Sequence, residues 1–147
     1  MNLFNILDSR SLTVSVTESC TGGLLSHHFT KNPGSSKYFL GGIIAYHKNV
    51  KVDILGVNPD VNVVSQECAE QMVNGLKNII DSDIYISVTG FAGPTAIPES
   101  EVGNIYFSII YRNTIYNFNK KYYSVDRRYN CLQIINSIND ELIKLIS

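Results

Sequence analysis

Glu18-Ser19-Cys20-Thr21-Gly22-Gly23 is the segment best suited to hold a reacting ligand. It follows an apolar run, Leu12 to Val16, and precedes a helical pattern, Leu24 to Thr30. A strand therefore runs into a small-residue turn and then into a helix. Free backbone N–H groups at a helix start can hold an anion, and glycines let a ligand approach the backbone closely. Ser19 or Thr21 could equally cap the helix, the usual task of such residues. Cys20 stands where thiolates are favoured, but no histidine accompanies it, and a buried structural thiol is the better reading. A second small-residue turn, Thr89-Gly90-Phe91-Ala92-Gly93-Pro94, follows another strand-like run, Ile84 to Val88. Two such turns point to one shared site at the carboxyl ends of two strands.

The elements that must position these turns alternate in type. Leu3, Ile6 and Leu7 share one face of a short first helix. Leu12 to Thr17 reads as a strand and Cys20 to Thr30 as a helix stopped near Pro33-Gly34. Tyr38 to Tyr46 reads as a strand with a bulge or bend at Gly41-Gly42. Lys48 to Leu55 suits a short helix, and Val57 to Val63 a connection. Ser65 caps a helix reaching about Ile80. Ile84 to Val88 is a strand, Gly90 to Gly103 a long loop, and Asn104 to Tyr111 with Ile115 to Tyr123 a hairpin. A final helix covers about Asp126 to Ile146. This order predicts a three-layer α/β/α sandwich around a mixed, mainly parallel sheet with a late antiparallel hairpin.

The 147 residues are expected to form a single domain, 1–147, with no linker, repeat or low-complexity segment. Apolar residues make up 44% and charged residues 17%, the balance of a soluble globular protein. A formal net charge of −1 gives no electrostatic case for binding nucleic acid or an anionic membrane. No signal peptide is expected, and Cys20, Cys68 and Cys131 read as reduced thiols, so a cytoplasmic location is expected. No His/Cys/carboxylate cluster has ligand spacing, which disfavours metal catalysis; no cofactor is expected. His27-His28 are adjacent and cannot share a helix face as ligands, while His47, Lys48 and Lys121 read as solvated. The tyrosine-rich segments Tyr38 to Tyr46 and Tyr106 to Tyr123 fit a homodimer or higher homo-oligomer, and a buried sheet would account for much of the same pattern.

An ordered set of motifs gives the chain a family resemblance. Glu18-Ser19-Cys20-Thr21-Gly22-Gly23, Gly34-Ser35-Ser36, Tyr46 with Lys51, Val64-Ser65, Thr89 to Pro94 and Val102-Gly103 follow one another at characteristic spacing. In these the chain resembles the CinA C-terminal domain family, which includes the stand-alone nicotinamide mononucleotide deamidases called PncC. The larger family members carry an N-terminal domain for which this chain has no room. The resemblance implies the same α/β/α architecture and a metal-free amidohydrolase. Its expected reaction converts nicotinamide mononucleotide to nicotinic acid mononucleotide and ammonia, within pyridine nucleotide recycling.

Carboxamide hydrolysis needs a nucleophile, a base and an oxyanion stabiliser. A lysine kept neutral by a desolvated pocket can take a serine proton and return one to departing ammonia. The resemblance implies Ser36 as nucleophile, Lys51 as base and Tyr46 as proton relay or lysine orienter. By themselves Ser36 reads as a loop serine, Lys51 as a solvated helix lysine and Tyr46 as a core or rim residue. A straight ten-residue strand spans ~33 Å, so Ser36 and Tyr46 require a bend at Gly41-Gly42 or a neighbouring subunit. The resemblance further implies a nucleotide-binding wall of Glu18, Ser19, Cys20, Thr21, Gly22, Gly23, Thr89, Gly90, Ala92 and Gly93. Arg127 matches a family arginine and is a candidate phosphate ligand, or else an exposed helix-start arginine.

The chain departs from the family pattern at four places. Ala96-Ile97 replaces a Gly-Gly pair, Ser100-Glu101 replaces Lys-Pro, Val125 replaces a glycine, and Cys131 stands where the family has a second arginine. Glu101 would weaken anion binding unless it points away. These changes leave open a substrate-shifted enzyme on another small amide, or a non-catalytic, competence-associated nucleotide-binding protein. A Rossmann dehydrogenase is disfavoured, since neither glycine turn reads Gly-x-Gly-x-x-Gly.

Overall fold

The computed structural model describes residues 2–96 and 98–147. Its order is α1 (Leu3–Ser9), β1 (Val14–Glu18), α2 (Leu24–Thr30), β2 (Phe39–Ile44), α3 (Lys48–Asp53), α4 (Gln66–Lys77), β3 (Ile84–Gly90), β4 (Asn104–Tyr111), β5 (Thr114–Lys121) and α5 (Arg127–Ile146). Single 3-10 turns occur at Ser35–Lys37 and Glu99–Glu101. The sheet order is β2-β1-β3-β4-β5. β1 pairs parallel with β2 and β3, whereas β3–β4 and β4–β5 are antiparallel. Four strands thus share one direction and β4 opposes them, as the sequence pattern predicts.

Two apolar layers flank this sheet. On one face Leu3, Ile6, Leu7, Leu25, Phe29, Ile134, Ile138 and Leu142 pack on Val14, Val16, Ile86, Val88 and Phe107. On the other, Leu55, Cys68, Met72 and Leu76 pack with Tyr85 and Ile110. This second face of the sheet also carries Ser15, Thr17, Ser87, Thr89 and Ser108, all at most 1% exposed. Their hydroxyls find partners: Ser87 donates to the Ala69 carbonyl at 2.6 Å and Thr89 to the Val63 carbonyl at 2.6 Å. Small hydroxyl residues keep α4 close to the sheet without leaving buried polar groups unpaired.

Several boundaries are set by local chemistry. The Ser65 hydroxyl accepts from the Cys68 N–H and starts α4, as expected. Asp126 caps α5 by accepting from the N–H groups of Arg128 and Tyr129. Arg112 and Asn113 both have positive φ, which makes the β4–β5 connection a two-residue hairpin turn. The bulge expected in β2 appears as a register shift where Val14 pairs with Phe39 and Ser15 with Gly41. The expected helix from Cys20 starts only at Leu24. Gly22 and Gly23 adopt φ of 57° and 112°, so Cys20 to Gly23 form a turn. Among the described residues, no helix is long and apolar enough to cross a membrane.

Candidate active site

The carboxyl ends of β1, β2 and β3 open into one cleft. Ser19 follows β1 directly, Tyr46 follows β2, and Gly90 ends β3. One chamber of about 210 Å³ is lined by Ser19, Lys51, Val63, Val64, Thr89 and Gly90 with others. A larger chamber of about 640 Å³ is walled by Thr21, Gly22, Gly23, Leu24, His27, Arg128 and others. Cys20, Tyr46 and Arg127 belong to both. Tyr46 and Arg127 form the partition, with Arg127 Nη2 donating to the Tyr46 hydroxyl at 3.1 Å. A separate pocket of about 370 Å³ by the β4–β5 turn carries no nucleophile–base pair among the described residues.

Lys51 occupies the floor of the smaller chamber. The short helix α3 leaves the β2 end and turns this side chain inward, to 2% exposure. Its Nζ donates to the carbonyl oxygens of Ala45 at 2.8 Å and Tyr46 at 3.1 Å, and lies 2.8 Å from Ser19 Oγ. Burial lowers the Lys51 pKa from the usual lysine value, and the nearby Cys68 and Cys20 sulfurs oppose that shift. A neutral amine has two N–H bonds and one lone pair. The two carbonyls match the N–H bonds, which leaves the lone pair for the Ser19 hydroxyl.

Ser36 does not take part in this arrangement within one chain. It is exposed and lies in the 3-10 turn before β2, at the amino end of the strand whose carboxyl end leads to Lys51. The six residues of β2 separate them, roughly 20 Å of extended chain. The Gly41-Gly42 bulge shifts the register and does not fold the segment back. The serine that meets Lys51 is Ser19, placed by sequence reading in the binding wall. Tyr46 also differs from the expectation: its backbone carbonyl, not its hydroxyl, orients the lysine.

Glu18 corrects a second expectation. It is fully buried and lines neither chamber. Its carboxylate accepts from the Thr21 hydroxyl at 2.5 Å, the Leu25 N–H at 3.0 Å, and the Ser26 N–H and hydroxyl at 2.8 and 2.6 Å. The anion at the start of α2 is therefore the protein's own side chain. The two glycines beyond it serve the left-handed turn that brings the helix over this carboxylate.

The remaining wall residues divide between lining and support. Cys20, Thr21, Gly22, Gly23, Thr89 and Gly90 line the cleft. Ala92 and Gly93 lie outside both chambers and act through backbone carbonyls, which accept from Asn130 Nδ2 at 2.8 Å and Arg127 Nη1 at 2.9 Å. Neither Arg127 nor Arg128 has an ion-pair partner among the described residues. Glu101 lines neither chamber, and its carboxylate accepts from Asn104 Nδ2 at 2.5 Å. Ala96 lines neither chamber, and Ile97 lies outside the described residues. Cys131 stands in the larger chamber, one helical turn beyond Arg127. Leu24, His27, Val63 and Arg128 carry no local signal that marks them for the cleft, whereas Phe91 lies within the second small-residue turn.

The family model of the CinA C-terminal domain matches residues 1–146. The chain belongs to the CinA C-terminal domain family. CinA-like proteins of Leptospira interrogans (serovar copenhageni) and Thermotoga maritima are 42% and 41% identical to it over 127 and 121 residues. Those matches cover 83% and 77% of this chain but only 30% of each relative, so the CinA domain here spans under a third of their length. The fold agrees with a competence or damage-inducible protein of Enterobacter asburiae, with a TM-score of 0.93 over 99% of this chain and 94% of that one, at 24% identity. A competence/damage-inducible protein of Agrobacterium tumefaciens superposes with a TM-score of 0.89 over 99% and 91% of the two chains, at 28% identity.

Proposed function

We propose that this CinA-family domain is a Ser/Lys amidohydrolase and that nicotinamide mononucleotide is its substrate. The observation that carries the reading is Lys51, buried, held by two carbonyls and 2.8 Å from Ser19 Oγ. A lysine desolvated in this way loses its proton more readily and serves as a base. Ser19 passes its proton to Lys51 Nζ as Oγ attacks the carboxamide carbon. Ser19 stands on a sharp strand-to-helix turn, as nucleophiles do in many hydrolases. The N–H groups of Cys20 and Thr21, next along that turn, have no backbone acceptor among the described residues and suit the developing oxyanion. Lys51 then protonates the leaving nitrogen, ammonia departs, and a Ser19 ester remains. Water, deprotonated by Lys51, hydrolyses that ester and frees the carboxylic acid.

The larger chamber supports the nucleotide part of the reading. His27, Arg127 and Arg128 stand in its wall, and among the described residues no carboxylate does. A phosphate monoester suits such a wall because guanidinium groups bind phosphate with paired hydrogen bonds. The test is ammonia release from nicotinamide mononucleotide by the wild type and by Ser19→Ala, Ser36→Ala and Lys51→Met variants. Release lost with Ser19 and Lys51 but kept with Ser36 is the expected result. Tight binding of the nucleotide without ammonia release would favour a non-catalytic nucleotide-binding role, and release from other small amides a shifted substrate.

A further inference from the structure

The larger chamber holds two thiols that the hydrolytic reading does not use. Cys20 and Cys131 both line it, at 6% and 9% exposure, although 111 residues separate them. Cys131 Sγ lies 3.7 Å from the Cys20 carbonyl oxygen, which its S–H faces. The third cysteine, Cys68, lies across the sheet in the α4 layer. Cys20 adjoins Ser19, so anything that moves Cys20 moves the serine beside Lys51.

We propose that Cys20 and Cys131 form a reversible disulfide site, which tethers the β1–α2 turn to α5 and switches off the cleft. The co-reactant is a small disulfide such as oxidised glutathione, which reaches the thiols through the chamber they line. The Cys131 thiolate attacks one sulfur of that disulfide. The reagent's S–S bond breaks, and the first thiolate leaves with the electron pair and takes up a proton. The Cys20 thiolate then attacks the Cys131 sulfur of the mixed disulfide and expels the second thiolate. Two protein thiols are oxidised to one disulfide, and the reagent is reduced to two thiols. An external dithiol reverses both steps.

The surroundings set the rate of this exchange. Burial pushes the Cys20 thiol up to about 12, with Cys131 adding to the rise and the Arg127 guanidinium opposing it. Burial also raises Cys131, again against Arg127. Arg127 and Cys131 are four residues apart on α5 and share a helix face. Cross-linking is therefore slow near neutral pH and faster in alkaline solution. A disulfide needs Cα atoms about 4.4–6.8 Å apart and fixed sulfur geometry, so closing it draws the β1–α2 turn towards α5 and displaces the adjoining Ser19 from Lys51.

The intact chain is treated with oxidised glutathione at mildly alkaline pH and read by intact mass and peptide mapping. The expected product has lost two hydrogens, joins the Cys20 and Cys131 peptides, leaves Cys68 free and reverts with dithiothreitol. Cys131→Ser and Cys131→Ala abolish it, and Cys68→Ala retains it. Stable mixed disulfides alone, pairs that include Cys68, or no oxidation of the folded chain would overturn the proposal. The activity arm rests on the hydrolase reading: cross-linked protein is expected to lose most of its ammonia release, recovered on reduction. Full activity of the cross-linked protein would sink the switch. A protein without hydrolase activity fails that reading alone, because the mass measurement is independent of it; the switch is then read as loss of nicotinamide mononucleotide binding in the cross-linked form.

Discussion

Lys51 Nζ lies 2.8 Å from Ser19 Oγ, across 32 residues of sequence, and the same nitrogen donates to the carbonyls of Ala45 and Tyr46. The three contacts give the amine a fixed direction. Ser19 follows β1 and the two orienting carbonyls follow β2. The parallel pairing of those strands brings them to one end of the sheet.

Ser19→Ala is expected to lower kcat by on the order of 10³-fold or more, since the nucleophile cannot be replaced by binding alone. Ser36→Ala is expected to leave kcat within about 3-fold, as its side chain is exposed at the other end of the strand. Steady-state ammonia assays on both variants check this. A dead Ser36→Ala enzyme with an active Ser19→Ala enzyme would move the nucleophile to Ser36 of a neighbouring subunit.

Activity should rise with pH as Lys51 loses its proton. Because burial lowers its pKa, the inflection in kcat/KM is expected below the usual lysine value of 10.5. Stability follows the same sign. In the lowered interval the unfolded chain binds more protons at Lys51 than the fold does, so this contribution grows as pH rises and is lost as pH falls through the folded pKa. Denaturant melts between neutral pH and pH 10.5 should show a shallower pH slope for Lys51→Met than for wild type. An identical slope would mean that the amine is not desolvated.

Glu18→Gln is expected to destabilise the fold by about 2–3 kcal/mol. The amide keeps one acceptor oxygen but presents an NH2 to donors that now meet a carboxylate. Thermal melting measures the loss, and kcat corrected for folded fraction should fall as well, because α2 then loosens beside Ser19. A variant as stable as wild type would show that the Glu18 cluster is not essential to the turn.

Tyr46→Phe removes the hydroxyl that accepts from Arg127 and leaves the backbone carbonyl on Lys51 intact. KM is expected to change by up to about 10-fold with kcat little altered. A kcat loss of about 10²-fold or more would instead give the phenol a part in proton transfer.

Gly75→Ala tests the support behind Lys51. A Cβ at Gly75 would stand 1.9 Å from the Leu55 carbonyl oxygen, in the segment that follows α3. The contact is with backbone, so α3 or α4 must shift, at a cost of about 1–3 kcal/mol. Chemical denaturation measures that cost; a neutral result would show that the α3–α4 connection is pliable.

The sequence alone determined the elements, the α/β/α class and the two turns that form the cleft. Apolar period, the Ser65 cap and the Pro33-Gly34 stop are local signals, and local energetics places them within a few residues. The motif set was also legible, and with it the family. The pairing of chemical groups was not. Ser19 looks like a cap, Ser36 like an equally good hydroxyl, and Lys51 like a solvated lysine until parallel β1–β2 pairing brings β1's end beside Ala45 and Tyr46. Glu18 likewise reads as a ligand-facing carboxylate, and only the fold of α2 over it turns it into an internal cap. Adjacency of this kind depends on strand register and layer packing, which join residues far apart in sequence. No short-range pattern encodes which of two serines a buried amine will meet; the tertiary structure decided that.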